Sequence, residues 1–156
     1  MTGVQTCALP ISALPLVHNG NVIDQFSLTF KQGEVVDFKA KTGESTLKQL
    51  LATDQGTLRL GEVALIGKNS PIAKSGVLFY NTLFDENASC HLALGKGYPT
   101  TVNNGENLTK EQLGQAGLND SVEHVDFMIG TKDLCVSGIT FDGEQVELFA
   151  DGDWVI

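Results

Sequence analysis

The segment VIDQFSLTFKQGEVVDFKA (22–40) decides the fold class of this chain. Apolar side chains alternate with polar ones on both sides of a central turn, and they are Phe26, Leu28, Phe30, Val36, Phe38 and Ala40. Alternation with a period of two residues is typical of strands that bury one face. The turn between the two halves reads Lys31-Gln32-Gly33-Glu34, so the segment predicts an antiparallel hairpin.

Helical spacing replaces this alternation directly after the hairpin. Leu47, Leu50 and Leu51 fall on one face of a helix predicted for residues 44–53, and an acidic residue begins it. Gly56 stands where such a helix is expected to stop. Strand and helix signals therefore occur in one continuous stretch of chain.

Short apolar runs continue through the middle of the sequence. The runs at 60–66, 90–94 and 122–129 each predict a strand, and the first of them is interrupted by Glu62. The run at 77–84 is apolar and aromatic, and it is compatible with either a strand or a helix. Gly and Asn residues separate these runs and favour turns over long helices.

Turn and capping signals mark the second half of the chain. Thr109 is followed three residues later by Gln112, which is the pattern of a capping box and predicts a short helix. Asp-Gly pairs at 142–143 and 151–152 predict two closing hairpins. The whole sequence therefore predicts an α+β domain with a mainly antiparallel or mixed sheet and few short helices.

Composition narrows the possible partners. The 156 residues carry a formal net charge of −9, which argues against nucleic acid and anionic membranes because both attract basic surfaces. The three cysteines, Cys7, Cys90 and Cys135, form no paired framework and fit a reducing cytosol. No apolar run approaches the roughly 20 residues that a membrane helix needs.

The first eleven residues, MTGVQTCALPI, look foreign to the rest of the chain. They resemble a translated sequencing adapter, so residues 1–11 are interpreted as a non-native leader and residues 12–156 as the native part. An ordinary disordered leader is the alternative. The adapter interpretation implies that the natural protein extends further upstream.

The segment His124-Val125-Asp126 is the most informative for chemistry. Residues i and i+2 of a strand point to the same side, so an imidazole and a carboxylate share one face of an otherwise apolar run. Buried ionisable groups need partners. A divalent metal is one possible partner, and a simple His–Asp pair in the core is the other.

Two further places carry unusual ionisable residues. Glu62 sits in an apolar run, either paired with a cation or facing water on an edge strand, and Gly61 beside it would permit close backbone approach. The acidic loop 85–89 leads directly into Cys90 and His91. Two histidines and at least three carboxylates at strand ends fit a hydrolytic site with two metals about 3.5–4 Å apart.

Other catalytic motifs are missing from the sequence. It contains no GxSxG elbow, no HExxH helix and no Walker A or GxGxxG loop after a strand. Cys90 and His91 are sequence neighbours, and neighbours on a strand face opposite sides, so a cysteine protease is rejected.

Three blocks resemble a known family. LGEVALIGKNSPI (60–72), FYNTLFDENASCHLALGKGYPT (79–100) and NDSVEHVDFMIG (119–130) closely resemble the thermophilic-type metalloaminopeptidases, the aminopeptidase T and aminopeptidase S family. The resemblance runs from about Pro15 to the end of the chain. It implies the catalytic domain of an enzyme that removes N-terminal residues from peptides, using two divalent ions such as zinc, cobalt or manganese. It also implies a cytoplasmic homodimer.

The resemblance also implies a role for each unusual residue. Glu62 corresponds to the metal-bridging glutamate, and His91, His124 and Asp126 correspond to metal ligands. Glu86 corresponds to an acid near the metals, either a ligand or the general base. Tyr98 corresponds to a tyrosine that would donate a hydrogen bond to the tetrahedral intermediate.

The chain departs from the family pattern in one respect. The family's first metal-ligand glutamate would fall before residue 12, where the leader has neither Glu nor Asp. The expectation is therefore a truncated catalytic domain with impaired metal binding. A domain that binds metal without catalysis is the alternative, and a purely structural fragment with His124 paired to Asp126 is a third possibility.

Overall fold

The computed structural model describes residues 7–156, so the interpretation of residues 1–6 as part of a leader lies outside the described residues. The described residues form ten strands: β1 (Cys7–Ala8), β2 (Leu16–His18), β3 (Asn21–Lys31), β4 (Glu34–Thr42), β5 (Leu60–Ala64), β6 (His91–Gly95), β7 (His124–Met128), β8 (Val136–Ile139), β9 (Gln145–Ala150) and β10 (Asp153–Trp154). They also form four short α-helices: α1 (Glu44–Leu51), α2 (Pro71–Ser75), α3 (Thr82–Asp85) and α4 (Lys110–Gln115). Within this range no helix is long and apolar enough to cross a bilayer.

The strands form three small sheets. The first surrounds β3, which pairs with β1, β2 and β4; the second has the order β5-β6-β7; and the third has the order β10-β9-β8. Every pairing between these strands is antiparallel. The α+β prediction with a mainly antiparallel sheet is confirmed.

The hairpin predicted for residues 22–40 consists of β3 and β4. Gln32 and Gly33 both have positive φ angles, of 52° and 77°, as a two-residue turn that follows the strand twist requires. The hairpin prediction is confirmed, but the predicted inward position of Val36 is wrong. The register shifts at Thr29/Phe30, so Val36 bulges out and is 57% exposed while Val35 packs inward.

The predicted helix is α1, and it ends earlier than expected. Leu47, Leu50 and Leu51 are buried as predicted, but the helix stops at Leu51 and not at Gly56. The chain turns at Asp54, whose carboxylate accepts the backbone N–H of Thr57 at 2.9 Å. Gly56 begins a 3-10 turn that lies directly against the Asp120 carbonyl, where a Cβ atom would not fit.

Several local signals in the second half have clear outcomes. Thr109 and Gln112 form both bonds of the predicted capping box at the start of α4. The Asp-Gly pairs at 142–143 and 151–152 connect β8 to β9 and β9 to β10, so both hairpins are confirmed. The ambiguous run at 77–84 forms no strand and ends in α3.

The main core lies between the first two sheets. Phe26 of β3 packs against Phe127 of β7 with ring centroids 5.6 Å apart, and α1 covers the side of this contact. Leu92 and Leu94 of β6 and Val125 of β7 join the same cluster. One face of the β5-β6-β7 sheet is therefore apolar, which leaves its other face free for polar side chains.

Residues 7–11, which the sequence interpretation assigns to a non-native leader, lie along β3. Cys7 and Ala8 pair with Lys31 and Phe30, and the Pro10 carbonyl accepts the Leu28 N–H. The foreign origin of this segment stays a prediction.

Gly61 leaves no space for a side chain, so its substitution should destabilise the fold. A Cβ at this position would overlap the carbonyl oxygens of Gly95 and Lys96, so the expected close approach of the backbone is present. We expect Gly61→Ala to lower the free energy of unfolding by about 1–3 kcal/mol, measured by urea denaturation, because β5 must move away from β6. Gly114→Ala is the control, since nothing lies near its Cβ and alanine favours helices. Equal stability of the two variants would contradict the account.

The hydrogen bonds to the Asp54 carboxylate should make the stability of the fold depend on pH. This carboxylate accepts hydrogen bonds from the Val122 N–H, the Ser121 hydroxyl and the Thr57 N–H, which together lower its pKa. A lowered folded-state pKa stabilises the fold above the unfolded value of about 4, and this stabilisation is lost as the pH falls through the folded value. Asp54→Asn should therefore reduce the free energy of unfolding by about 1–3 kcal/mol at pH 7.

The pH dependence of that difference is the decisive measurement. Urea denaturation of wild type and Asp54→Asn should show a gap that narrows as the pH is lowered from 7 to about 3. Asp37→Asn, at an exposed position of β4, should leave stability nearly unchanged at both values. A constant gap for Asp54→Asn would mean that the charge of this carboxylate contributes nothing.

Candidate metal centre

The register of β5, β6 and β7 places four ionisable residues on one face of the second sheet. Glu62 of β5 and Asp126 of β7 both lie opposite Ala93 in the central strand. His91 lies two residues before Ala93, and His124 lies two residues before Asp126, so each shares the face of its neighbour. The four side chains surround a position that carries only a methyl group.

The His91 ring is buried and held from behind. It is 4% exposed, and its Nδ1 lies 3.1 Å from the carbonyl oxygen of Ser89. A carbonyl can only accept a hydrogen bond, so Nδ1 carries the proton. The opposite nitrogen, Nε2, faces Oε1 of Glu62 at 3.3 Å.

The His124 ring is held in the same way from a different loop. Its Nδ1 lies 2.6 Å from the carbonyl oxygen of Lys96 and donates to it. Its Nε2 lies 3.3 Å from Oδ1 of Asp126 and 3.5 Å from Oε2 of Glu62. Both imidazoles therefore present the same nitrogen to the centre of the cluster.

Glu62 lies between the two rings, with one carboxylate oxygen towards each. Among the described residues, ligand atoms of Glu62, His91 and Asp126 all lie within 4.8 Å of one another, a group that could hold a metal ion. Glu62 is on an edge strand, as one reading of the sequence allowed, but its side chain is only 32% exposed. The carboxylate is thus partly withdrawn from water beside two rings.

The position of the proton on each imidazole ring determines what the cluster can bind. A neutral imidazole with its proton on Nδ1 offers a lone pair at Nε2, and a carboxylate also offers lone pairs, so the two repel without a positive charge between them. A cation in the space between these lone pairs would remove the repulsion. Neutral His and ionised Asp and Glu are ordinary ligands of divalent metals, so the donor set fits such an ion.

Glu86 lies beside this cluster at the start of a 3-10 turn. Burial raises the pKa of its carboxyl group, and the negative charges of Asp126 and Glu62 raise it further, while His91 lowers it. Its neighbour Asp85 is 3% exposed and accepts backbone N–H groups within the same loop. Asp85 therefore shapes the loop, whereas Glu86 is the acid in electrostatic contact with the cluster.

Tyr98 lies at the exposed side of the site. Its ring packs on the His124 ring with centroids 4.8 Å apart, and the residue is 47% exposed. The phenol therefore borders both the cluster and solvent.

The alternative interpretations of these residues also find contacts. His124 Nε2 and Asp126 Oδ1 approach each other, but Glu62 lies at a similar distance from the same nitrogen, so the structural pairing of His124 with Asp126 stays a prediction. Cys90 exchanges weak hydrogen bonds with the backbone of Ile66, and burial raises the pKa of its thiol. A nucleophilic cysteine needs a lowered pKa, so the rejection of a cysteine protease agrees with this environment.

Sequence reasoning missed the groups that orient the two rings. These groups are the backbone carbonyls of Ser89 and Lys96, and a main-chain oxygen leaves no mark on residue identity. It also missed Ala93 and Gly95, whose small size keeps the centre of the face open. Small residues alternating with His91 along one strand are the only signal that pointed to them.

The sequence matches a known protein family over most of its length. The family model for thermophilic metalloproteases (M29) matches residues 10–154. Aminopeptidase 2 of Geobacillus stearothermophilus is 60% identical over 140 residues, which cover 90% of this chain and 34% of that protein. Aminopeptidase T of Thermus aquaticus is 42% identical over 142 residues, which cover 91% of this chain and 34% of that protein.

A solved structure shows the same fold. Wild-type AmpT from Thermus thermophilus is 40% identical and superposes with a TM-score of 0.84, covering 95% of this chain and 36% of that chain. The chain spans about a third of the length of the relatives that it matches. The resemblance drawn from the three sequence blocks is confirmed, and the chain belongs to the thermophilic metalloprotease family, M29.

Proposed function

We propose that this chain carries the metal-binding part of an aminopeptidase that removes N-terminal residues from peptides with two divalent ions. The observation that supports it best is the Glu62 carboxylate, whose two oxygens face the Nε2 atoms of His91 and His124. A carboxylate shared between two histidines is the arrangement that a bridged pair of metals needs. Relatives named aminopeptidases, at 42% and 60% identity, support the reaction class.

The donor atoms divide unequally between two ions. An ion beside His124 would have that ring, Asp126 and one oxygen of Glu62, which is the usual three protein ligands of a catalytic zinc. An ion beside His91 would have that ring and the other oxygen of Glu62, and Asp126 and Glu86 are further acids near it. Zinc, cobalt and manganese are the ions that we propose.

Divalent ions in such a site polarise the peptide carbonyl and make water a nucleophile at neutral pH. The protein's part is to orient both imidazoles through their Nδ1 bonds and to provide a base. We propose that Glu86, whose pKa is raised by burial, accepts a proton from the attacking water and returns it to the leaving amine. In this proposal Tyr98, whose ring contacts the His124 ring, donates a hydrogen bond to the oxyanion.

We further propose that this chain alone is impaired. If Glu86 serves as the base and Asp126 binds the ion beside His124, the ion beside His91 keeps two ligands from the described residues and binds weakly. This shortage favours the alternative function, a domain that binds one metal without catalysis.

The proposed setting is a cytoplasmic homodimer. Cys90 and Cys135 are both free among the described residues, as a reducing compartment favours. Exposed apolar side chains such as Phe141 and Ile139 offer surface that a partner subunit would cover.

Zinc binding tests the proposed function directly. After dialysis of the full chain against zinc, elemental analysis should find at least one ion per chain, and a second only at higher zinc concentration. His124→Ala should weaken binding at least tenfold, because it removes a ligand of the better site. His18→Ala is the control, since this histidine lies on β2 and contacts Asn19. Absence of zinc from wild type would contradict the proposal, and equal affinity in His124→Ala would remove that ligand.

Glu86→Gln separates the two roles open to this residue. As the base, it should leave zinc affinity within about threefold of wild type, yet lower turnover of an aminoacyl substrate about 10²–10⁴-fold. As a ligand, it should weaken zinc binding about tenfold or more. Glu106→Gln, at an exposed position, is the control. Full activity with unchanged affinity would exclude both roles.

A further inference from the structure

Asn119 bonds both ends of the loop that follows β6, one through its side chain and the other through its main chain. The Nδ2 group of Asn119 donates to the carbonyl oxygen of Gly56 at 2.8 Å and to that of Gly95 at 2.6 Å. Both partners are carbonyls, so the orientation of the amide is fixed with its NH₂ group towards them. The backbone carbonyl of Asn119 in turn accepts the N–H of Gly97 at 2.9 Å.

These bonds enclose the residue that orients His124. Gly95 and Gly97 flank Lys96, and Asn119 binds both of them. The Lys96 N–H donates to the Glu123 carbonyl at 2.7 Å, and the Lys96 carbonyl accepts the His124 Nδ1–H at 2.6 Å. The direction of the Lys96 carbonyl therefore depends on a loop that Asn119 fixes at both ends.

The backbone around the two carbonyls that Asn119 binds is closely packed. A Cβ at Gly56 would overlap the Asp120 carbonyl, and one at Gly95 would overlap the Glu123 carbonyl. An amide is short enough to lie between two main-chain oxygens and has two N–H donors, one for each. A hydroxyl has one donor and a carboxylate has none, so neither satisfies both carbonyls.

We infer that Asn119 is a positioning residue for His124. It holds residues 95–97 so that the Lys96 carbonyl keeps the proton on Nδ1 of His124 and leaves Nε2 free for a cation. The benefit of a free Nε2 rests on the proposed metal-dependent function, whereas the effect on the ring itself does not. His91 is independent of this device, because its Nδ1 bonds the Ser89 carbonyl.

The protonated nitrogen of each ring can be observed without metal. Long-range ¹H–¹⁵N correlation spectra of the full labelled chain at about pH 8, where unperturbed imidazoles are neutral, distinguish the two tautomers. Wild type should show His91 and His124 protonated at Nδ1. In Asn119→Ala, His124 should become a mixture of tautomers while His91 stays unchanged, and zinc affinity should fall about tenfold.

Two further variants guard against a general loss of structure. Asp54→Asn weakens the bonds to Ser121 and Val122 in the same segment but leaves all three bonds of Asn119, so it should keep the wild-type spectrum of His124. Asn119→Ser retains one donor, and it should give a smaller change confined to His124. If Asn119→Ala does not fold, Asn119→Ser provides the test of the positioning role.

Three results would overturn the inference. They are an unchanged His124 spectrum in both Asn119 variants, an equal change of His91 and His124, and the same His124 change in Asp54→Asn. A His124-selective change with unaltered zinc affinity would overturn the role towards the metal. If wild type binds no zinc but the selective change occurs, the positioning role stands and the proposed function fails.

Discussion

The antiparallel register of β5, β6 and β7 is the constraint on which the candidate centre depends. It sets Glu62 and Asp126 on either side of Ala93 and brings His124 next to Gly95. A shift of one residue in either pairing would turn a strand over and send its ionisable side chains into the apolar core. The core prevents this shift, because Leu92, Leu94, Val125 and Phe127 occupy the opposite face. The hydrophobic core therefore fixes the polar site.

The same register explains why the middle of the face is left open. Along β6 the side chains on this face decrease in size from His91 to Ala93 to Gly95. Four ionisable side chains can then converge without a large side chain between them. Burial and the neighbouring negative charges of Asp126 and Glu62 raise the pKa of Glu86 within this group. Fold stability and site composition thus oppose each other here, as is expected of a functional region.

The sequence predicted as much as local periodicity contains. The hairpin at 22–40, the buried face of α1 and the shared face of His124 and Asp126 all follow from spacing within one segment. It could not predict relations between segments. The bulge at Val36 depends on the pairing of two strands, and the end of α1 depends on Asp54 binding residues 121–122. That Glu62 and His91 belong beside His124 came from family resemblance, since strand order is not encoded in any one segment.

Main-chain carbonyls, more than side chains, orient both imidazoles of the centre. A carboxylate behind a histidine would raise its basicity but add negative charge to a region that already holds Glu62, Glu86 and Asp126. A neutral carbonyl fixes the tautomer without that charge. The orientation of both rings therefore depends on the loops that carry Ser89 and Lys96. The hydrogen bonds around each loop in turn determine where its carbonyl points. Glycines at 56, 61, 95 and 97 let those loops approach one another closely. Ionisable side chains therefore supply the chemistry of the centre, whereas glycines and backbone hydrogen bonds determine its geometry.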